Sequence, residues 1–150
     1  MLGIGPLQEG KGHVTEGKRS AGDADMAILI VDDDPTNLFV LNEFLQSEGY
    51  ETITAANGAE AVDAYHAHHP WLILMDLSMP VMDGFEATRR ILAEPDEGAR
   101  KPTILAVSAN VTPEWRASCI EIGMEDFIEK PIDFDHLIPR IADLSAELRC

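Results

Sequence analysis

Four apolar runs in this chain stop at residues that can do chemistry. Ile28-Leu29-Ile30-Val31 ends in Asp32-Asp33-Asp34, Trp71-Leu72-Ile73-Leu74-Met75 in Asp76, Thr103-Ile104-Leu105-Ala106-Val107 in Ser108, and Phe127-Ile128-Glu129 in Lys130. Two carboxylates about 4 Å apart repel by roughly 4 kcal/mol at an effective dielectric near 20, so gathered acids call for a cation. Acids from neighbouring strands supply the hard oxygen ligands that Mg²⁺ prefers, and Mg²⁺ keeps waters that phosphate oxygens can replace. A central carboxylate can act as a nucleophile and form an aspartyl phosphate. A lysine neutralises charge on the transferred group, and a hydroxyl opposite binds one of its oxygens. Together these residue types support phosphoryl transfer to a carboxylate. Each has a bland role when taken singly: a helix cap for Asp33, a turn for Asp76, a helix entry for Ser108, a solvated strand end for Lys130. Their coincidence at one edge is what carries the reading.

Elements that would bring them to one edge are legible in the patterning. Runs of Ile, Leu and Val with no polar alternation read as strands buried on both faces. After the first, Asp34-Pro35 reads as a helix start with Asp34 as N-cap and Pro35 at the first helical position. Leu38, Leu41, Phe44 and Leu45 form the apolar face of that helix, and Gly49 stops it. Glu51 to Ala55 reads as a short strand, and Asn57 caps a helix through Val62 and Tyr65 that ends at Pro70. Trp71 to Asp76 is the third strand. Met79-Pro80 and Asp83-Gly84 mark a turn into a helix with Phe85, Thr88, Ile91 and Leu92 inward, and Glu94 to Pro102 is a loop. Thr103 to Val107 is the fourth strand, Thr112-Pro113 opens a helix closed by Gly123, Phe127 to Pro131 is the last strand, and a final helix runs from Asp133. Strand and helix alternate throughout, which predicts an α/β doubly wound parallel sheet with helices on both faces. In such a sheet ligands bind at the carboxyl ends of the strands.

The 150 residues amount to a single domain, large enough to bury roughly 68 to 70% of its unfolded surface without a disulfide or metal staple. Twenty-seven acids against eleven lysines and arginines give a net charge of −16. Such a surface repels phosphate backbones and anionic lipid, so neither nucleic acid nor membrane is expected as a direct partner. Cys119 and Cys150 have no metal spacing and suit a reducing compartment. With no membrane-length apolar run and no apolar core of a signal peptide at the start, the expected location is cytoplasmic. Residues 1–25 hold six of the eleven glycines without hydrophobic period and read as a flexible tail. Met26 stands directly before the first strand as an alternative start. Gly5 to Gly12 approximates a phosphate-binding loop, but it lacks the Ser or Thr after Lys11 and a strand before it.

Ile28 to Pro35, Leu72 to Gly84, Ala106-Val107-Ser108-Ala109-Asn110 and Phe127-Ile128-Glu129-Lys130-Pro131 resemble, in order and spacing, the receiver domain of two-component response regulators. The similarity spans about Met26 to Leu148, within a receiver domain set at 26–150, and the chain closely resembles receivers attached to hybrid histidine kinases or standing alone after them. It implies a flavodoxin-like five-stranded sheet of order 2-1-3-4-5. It also implies that Asp76 is the phosphoacceptor, supplied by a sensor histidine kinase or histidine phosphotransfer domain. Asp32, Asp33 and Asp76 would hold Mg²⁺, aided by the backbone carbonyl of Ser78. Lys130 and Ser108 would bind the phosphoryl group, and Phe127 would turn inward as Ser108 moves. Ser78 and Asn110 would tune dephosphorylation, and Lys130-Pro131 would be cis. The protein would thus be a signalling switch and not an enzyme beyond its own phosphorylation and dephosphorylation. A homodimer formed on phosphorylation is compatible with the family.

Asp32-Asp33-Asp34-Pro35-Thr36 also resembles the Asp-x-Asp-x-Thr pattern of haloacid-dehalogenase-like phosphatases, with Asp32 as nucleophile and Asp34 as acid/base. That reading leaves Asp76 and the Met79-Pro80 turn without a role, and no acidic strand end follows the lysine. An inert docking module is disfavoured because every acceptor, metal and switch position is filled. Two features depart from the receiver pattern: Trp71 stands where Asp is more usual, affecting packing only, and Pro139 predicts a kink or delayed start in the last helix. His66 and His69 read as complements to the negative end of their helix in preference to a metal pair. Trp115 and Cys119 fit either a recognition surface or packing.

Overall fold

Alternate residues of the central strands feed two separate cores, one on each face of a single sheet. The structure, a computed structural model, describes residues 27–77, 83–93, 101–109 and 112–149. In chain order the elements are β1 (Ile28–Val31), α1 (Pro35–Ser47), β2 (Thr52–Ala55), α2 (Gly58–His68), β3 (Leu72–Asp76), α3 (Gly84–Ala93), β4 (Thr103–Ser108), α4 (Pro113–Ile122), β5 (Asp126–Glu129) and α5 (Phe134–Arg149). All strand pairs are parallel and the order is β2-β1-β3-β4-β5, the doubly wound arrangement expected from the alternation.

Because side chains alternate across a strand, Ile28 and Ile30, Leu72 and Leu74, and Leu105 and Val107 all face α1 and α5, where Leu41, Leu45, Leu137 and Ile141 meet them. Leu29 and Val31, Ile73 and Met75, and Ile104 and Ala106 face the other way, onto Tyr65 of α2, Ile91 of α3 and Cys119 of α4. Burial on both faces explains why these strands are continuously apolar, and burial of Cys119 makes it a packing residue. Trp115 is half-buried and packs on Phe85, with ring centroids 5.1 Å apart, so it joins α4 to α3.

Helix ends follow the chemistry read from the sequence. The Asp34 side chain accepts from Thr36 N at 2.9 Å with Pro35 opening α1, Asn57 accepts from Glu60 N at 2.9 Å, and Thr112 accepts from Trp115 N at 3.2 Å. Gly49 and Gly123 take positive φ after α1 and α4, where a side chain would be strained. On α2 it is His69 that takes the left-handed turn, at φ 50°, with its ring edge-on to Tyr65.

Several boundaries differ from expectation. The second strand begins at Thr52, and Trp71 precedes β3, although its carbonyl still accepts from Thr103 N at 2.9 Å. On α3 the buried residues are Gly84, Ala87, Thr88 and Ile91, with Phe85 and Leu92 only half-buried at the margin. The last strand stops at Glu129, so Lys130 and Pro131 lie in the turn beyond it. Nor does Pro139 delay the last helix, which starts at Phe134 and runs through it. Pro139 and Asp135, the residue one turn before it, are both exposed, so the backbone acceptor that loses its helical donor stands at the surface. The expected tail 1–25, the loop residues 94–100, the Met79-Pro80 turn and Cys150 lie outside the described residues.

Candidate functional site

In a doubly wound sheet the strand order reverses at one place, and a crevice forms there beyond the carboxyl ends. Here the reversal lies between β1 and β3, whose register pairs Val31 with Met75 and so brings the next residues, Asp32 and Asp76, side by side. Alternation carries both toward the α1 and α5 face, continuing Ile28 and Ile30 on one strand and Leu72 and Leu74 on the other. Both are nearly covered, at 5% and 3% exposure. Burying two like charges without compensation is costly. Their compensation comes from Lys130, whose Nζ stands 3.4 Å from Asp32 Oδ2 and 3.5 Å from Asp76 Oδ1.

Asp32 divides its oxygens between two tasks. Oδ1 accepts from the backbone N–H of Asp34 at 2.9 Å, fixing the turn out of β1, and Oδ2 faces Lys130. Asp33 is exposed but turns its carboxylate to the same place, so that Asp32, Asp33 and Asp76 each offer an oxygen within 4.8 Å of the others. Three carboxylates against one ammonium leave the site negative, and an all-oxygen donor set of this kind fits a hard divalent cation. Among the described residues no other group of acids, histidines or cysteines is so arranged, and His66 and His69 have no part in it. His66 and His69 instead lie edge-on to Tyr65.

Ser108, the last residue of β4, is buried at 3% exposure, and its carbonyl accepts from Lys130 N at 3.0 Å. Lys130 is thereby tethered by its backbone to one strand end while its side chain reaches two others. By alternation Ser108 continues the row of Ile104 and Ala106 toward α4, and Phe127, paired in register with Ala106, lies on that same face. Phe127 is half-buried, and its N–H donates to Asp126 Oδ1 at 2.8 Å. The Lys130-Pro131 peptide is cis, as expected. Ser78 and Asn110 lie outside the described residues. Beside Asp32 and Lys130 a cleft of about 480 Å³ opens, walled by Val40, Leu41, Ile132 and Phe134.

One supporting residue escaped the sequence reading. A Cβ on Gly84 would lie 2.3 Å from the Asp76 carbonyl oxygen and 2.9 Å from Leu77 Cα, so the first turn of α3 rests directly on the backbone that carries Asp76. The Asp83-Gly84 pair had suggested only a turn. What it provides is the close approach of a helix start to a strand end, with Gly84 N donating to Leu77 O at 3.3 Å and Asp83 Oδ1 accepting from Glu86 N at 2.9 Å.

The phosphatase alternative fails on this geometry. It requires Asp34 as acid/base beside the nucleophile, but Asp34 is exposed and its carboxylate is occupied in capping α1. The place beside Asp32 belongs to Asp76, to which that mechanism gives no role.

Comparison with known proteins agrees. The chain is 37% identical over 123 residues to the sensor histidine kinase RcsC of Escherichia coli K12, covering 82% of this chain but only 12% of that protein's length. With the polar-differentiation response regulator DivK of Brucella ovis it shares 34% identity over 115 residues, covering 77% of this chain and 92% of DivK. Among solved structures, the receiver domain of sensor histidine kinase PA1611 from Pseudomonas aeruginosa PAO1, with a magnesium ion coordinated in its active-site cleft, superposes with a TM-score of 0.68. The two share 38% identity over 77% of this chain and 93% of that one. The response regulator receiver domain model matches residues 28–142, the sheet and helices that assemble the acidic site, and the chain belongs to that family.

Proposed function

We propose that Asp76 accepts a phosphoryl group from a phosphohistidine on a sensor histidine kinase or histidine phosphotransfer domain, and that the chain passes the signal on by protein contact or further transfer. The observation that carries this reading is the placement of Lys130 Nζ between Asp32 and Asp76, with Asp33 turned to the same spot. Receiver domains are signalling switches of two-component phosphorelays and not classical enzymes. Membership of sensor kinases such as RcsC and PA1611 in the set of relatives supports a kinase or phosphotransfer protein as donor.

In the transfer, an Asp76 carboxylate oxygen forms the new O–P bond as the N–P bond of the donor breaks, and the electron pair of that bond leaves with the imidazole. Lys130, whose Nζ lies 3.5 Å from Asp76 Oδ1, neutralises charge on the phosphoryl oxygens once the bond has formed. Asp32, Asp33 and Asp76, with the Ser78 carbonyl, would hold Mg²⁺, which when bound offsets charge on the phosphoryl group and the clustered acids. Ser108 donates its hydroxyl to a phosphoryl oxygen, and Phe127 follows it inward on the α4 face. Ser78 and Asn110 set the lifetime of the acyl phosphate.

No helix among the described residues is long and apolar enough to cross a membrane. With a net charge of −16, the same reading places the receiver, residues 26–150, in the cytoplasm with protein partners and without nucleic acid or lipid. Labelling with acetyl phosphate and Mg²⁺ tests the reading. Asp76→Asn is expected to abolish incorporation. Asp34→Ala is expected to preserve it while costing about 1 kcal/mol of stability for the lost cap. Incorporation that survives Asp76→Asn would refute the assignment.

A further inference from the structure

The outer face of Phe127 is covered by a cation. The Arg116 guanidinium carbon, on α4, lies 5.3 Å from the ring centroid, within the range in which a cation is attracted to an aromatic face. Arg116 is exposed, and among the described residues no carboxylate lies within ion-pairing distance of it. Along the sheet the ring's neighbours are small. Its register partner is Ala106, the smallest side chain that still carries a Cβ, and Ser108 follows two residues later on the same face. Outward of the ring lies a surface cavity of about 390 Å³, bordered by Arg116, Glu129, Asp133 and His136. Phe127 therefore has small neighbours on the sheet toward Ser108 and, over its ring, a charge that favours its present place.

Resting on the assignment of Phe127 as the moving aromatic, we infer that Arg116 is a positioning residue for the switch. Its guanidinium stabilises the outward ring and so sets the resting balance against the phosphorylated arrangement. A contact made in only one of two states shifts the balance by its own strength, and a ligand that favours the other state then binds with reduced apparent affinity. For an exposed cation–π pair that strength corresponds to about two- to fivefold in an equilibrium constant.

The test is a titration with beryllofluoride, a phosphoryl mimic, at fixed Mg²⁺, followed by tryptophan emission. Arg116→Ala and Arg116→Gln should each lower the half-saturating concentration about two- to fivefold, while Arg116→Lys, which keeps a cation, should stay nearer the parent value. With Phe127→Leu as background the ring is gone, and Arg116→Ala should then have no effect. No shift, an upward shift, or an equal shift in the Phe127→Leu background would overturn the inference. Beryllofluoride binding that is absent from the parent protein, or that survives Asp76→Asn, would instead overturn the switch reading and this inference with it.

Discussion

Lys130 Nζ lies 3.5 Å from Asp76 Oδ1, and it is the counter-charge that makes a carboxylate with 3% exposure tolerable at the end of β3. Removing that counter-charge leaves Asp32 and Asp76 buried side by side without the ammonium that stands between them. Lys130→Met should lower the rate of labelling by acetyl phosphate about ten- to a hundredfold, the loss of one charge-assisted contact to the reacting group. An unchanged rate would remove Lys130 from the chemistry.

Divalent cations act on the same imbalance from the other side. A ligand bound only by the folded state adds about 1.4 kcal/mol at ten times its Kd, so Mg²⁺ at that level should raise the melting temperature by a few degrees. Asp33→Asn should diminish the rise with little effect on the metal-free protein, because Asp33 is exposed. Asp76→Asn should raise the metal-free melting temperature by relieving like-charge repulsion, and it should also shrink the Mg²⁺ increment. Thermal unfolding with EDTA or with Mg²⁺ reads all three.

Gly84 has no room for a side chain against the Asp76 carbonyl. Gly84→Ala should cost about 1 to 3 kcal/mol through forced separation of α3 from the end of β3, and it should slow labelling in the fraction that remains folded. Denaturant unfolding beside acetyl phosphate labelling checks both.

Burial pushes the Cys119 thiol above its ordinary range, against the opposing charge of Arg116. The folded protein therefore holds Cys119 protonated while the unfolded chain ionises first. This contribution to stability is complete below the unfolded thiol's range and is lost as pH rises from there through the raised range of the folded thiol. In a Cys150→Ser background, Cys119 should resist a thiol reagent at neutral pH and react only on unfolding. Rapid reaction of the native protein would contradict its buried place.

Why so much of the site was legible before the fold was known lies in the strand ends. Asp32, Asp76 and Ser108 follow apolar runs whose burial on both faces demands a parallel sheet, and a parallel sheet gathers its carboxyl ends at one edge. Asp34 was readable as a cap because Asp-Pro before an apolar helical face has a local explanation. Contacts between elements distant in sequence were not readable. Gly84 against Asp76, Arg116 over Phe127 and the burial of Cys119 depend on how each helix seats on the sheet. Pro139 predicts a kink or a delayed start, and the start is not delayed: the helix begins at Phe134 and carries Pro139 at an exposed position in its interior.

The two rows of side chains along the strands end in different company. Asp32 and Asp76 crown the row above α1 and α5, and Ser108 and Phe127 belong to the row beneath α4. The acids and the aromatic thus stand on opposite layers of one sheet, so a change at one must cross the β3-β4-β5 strand ends, where Lys130 bonds to Ser108, to be felt at the other.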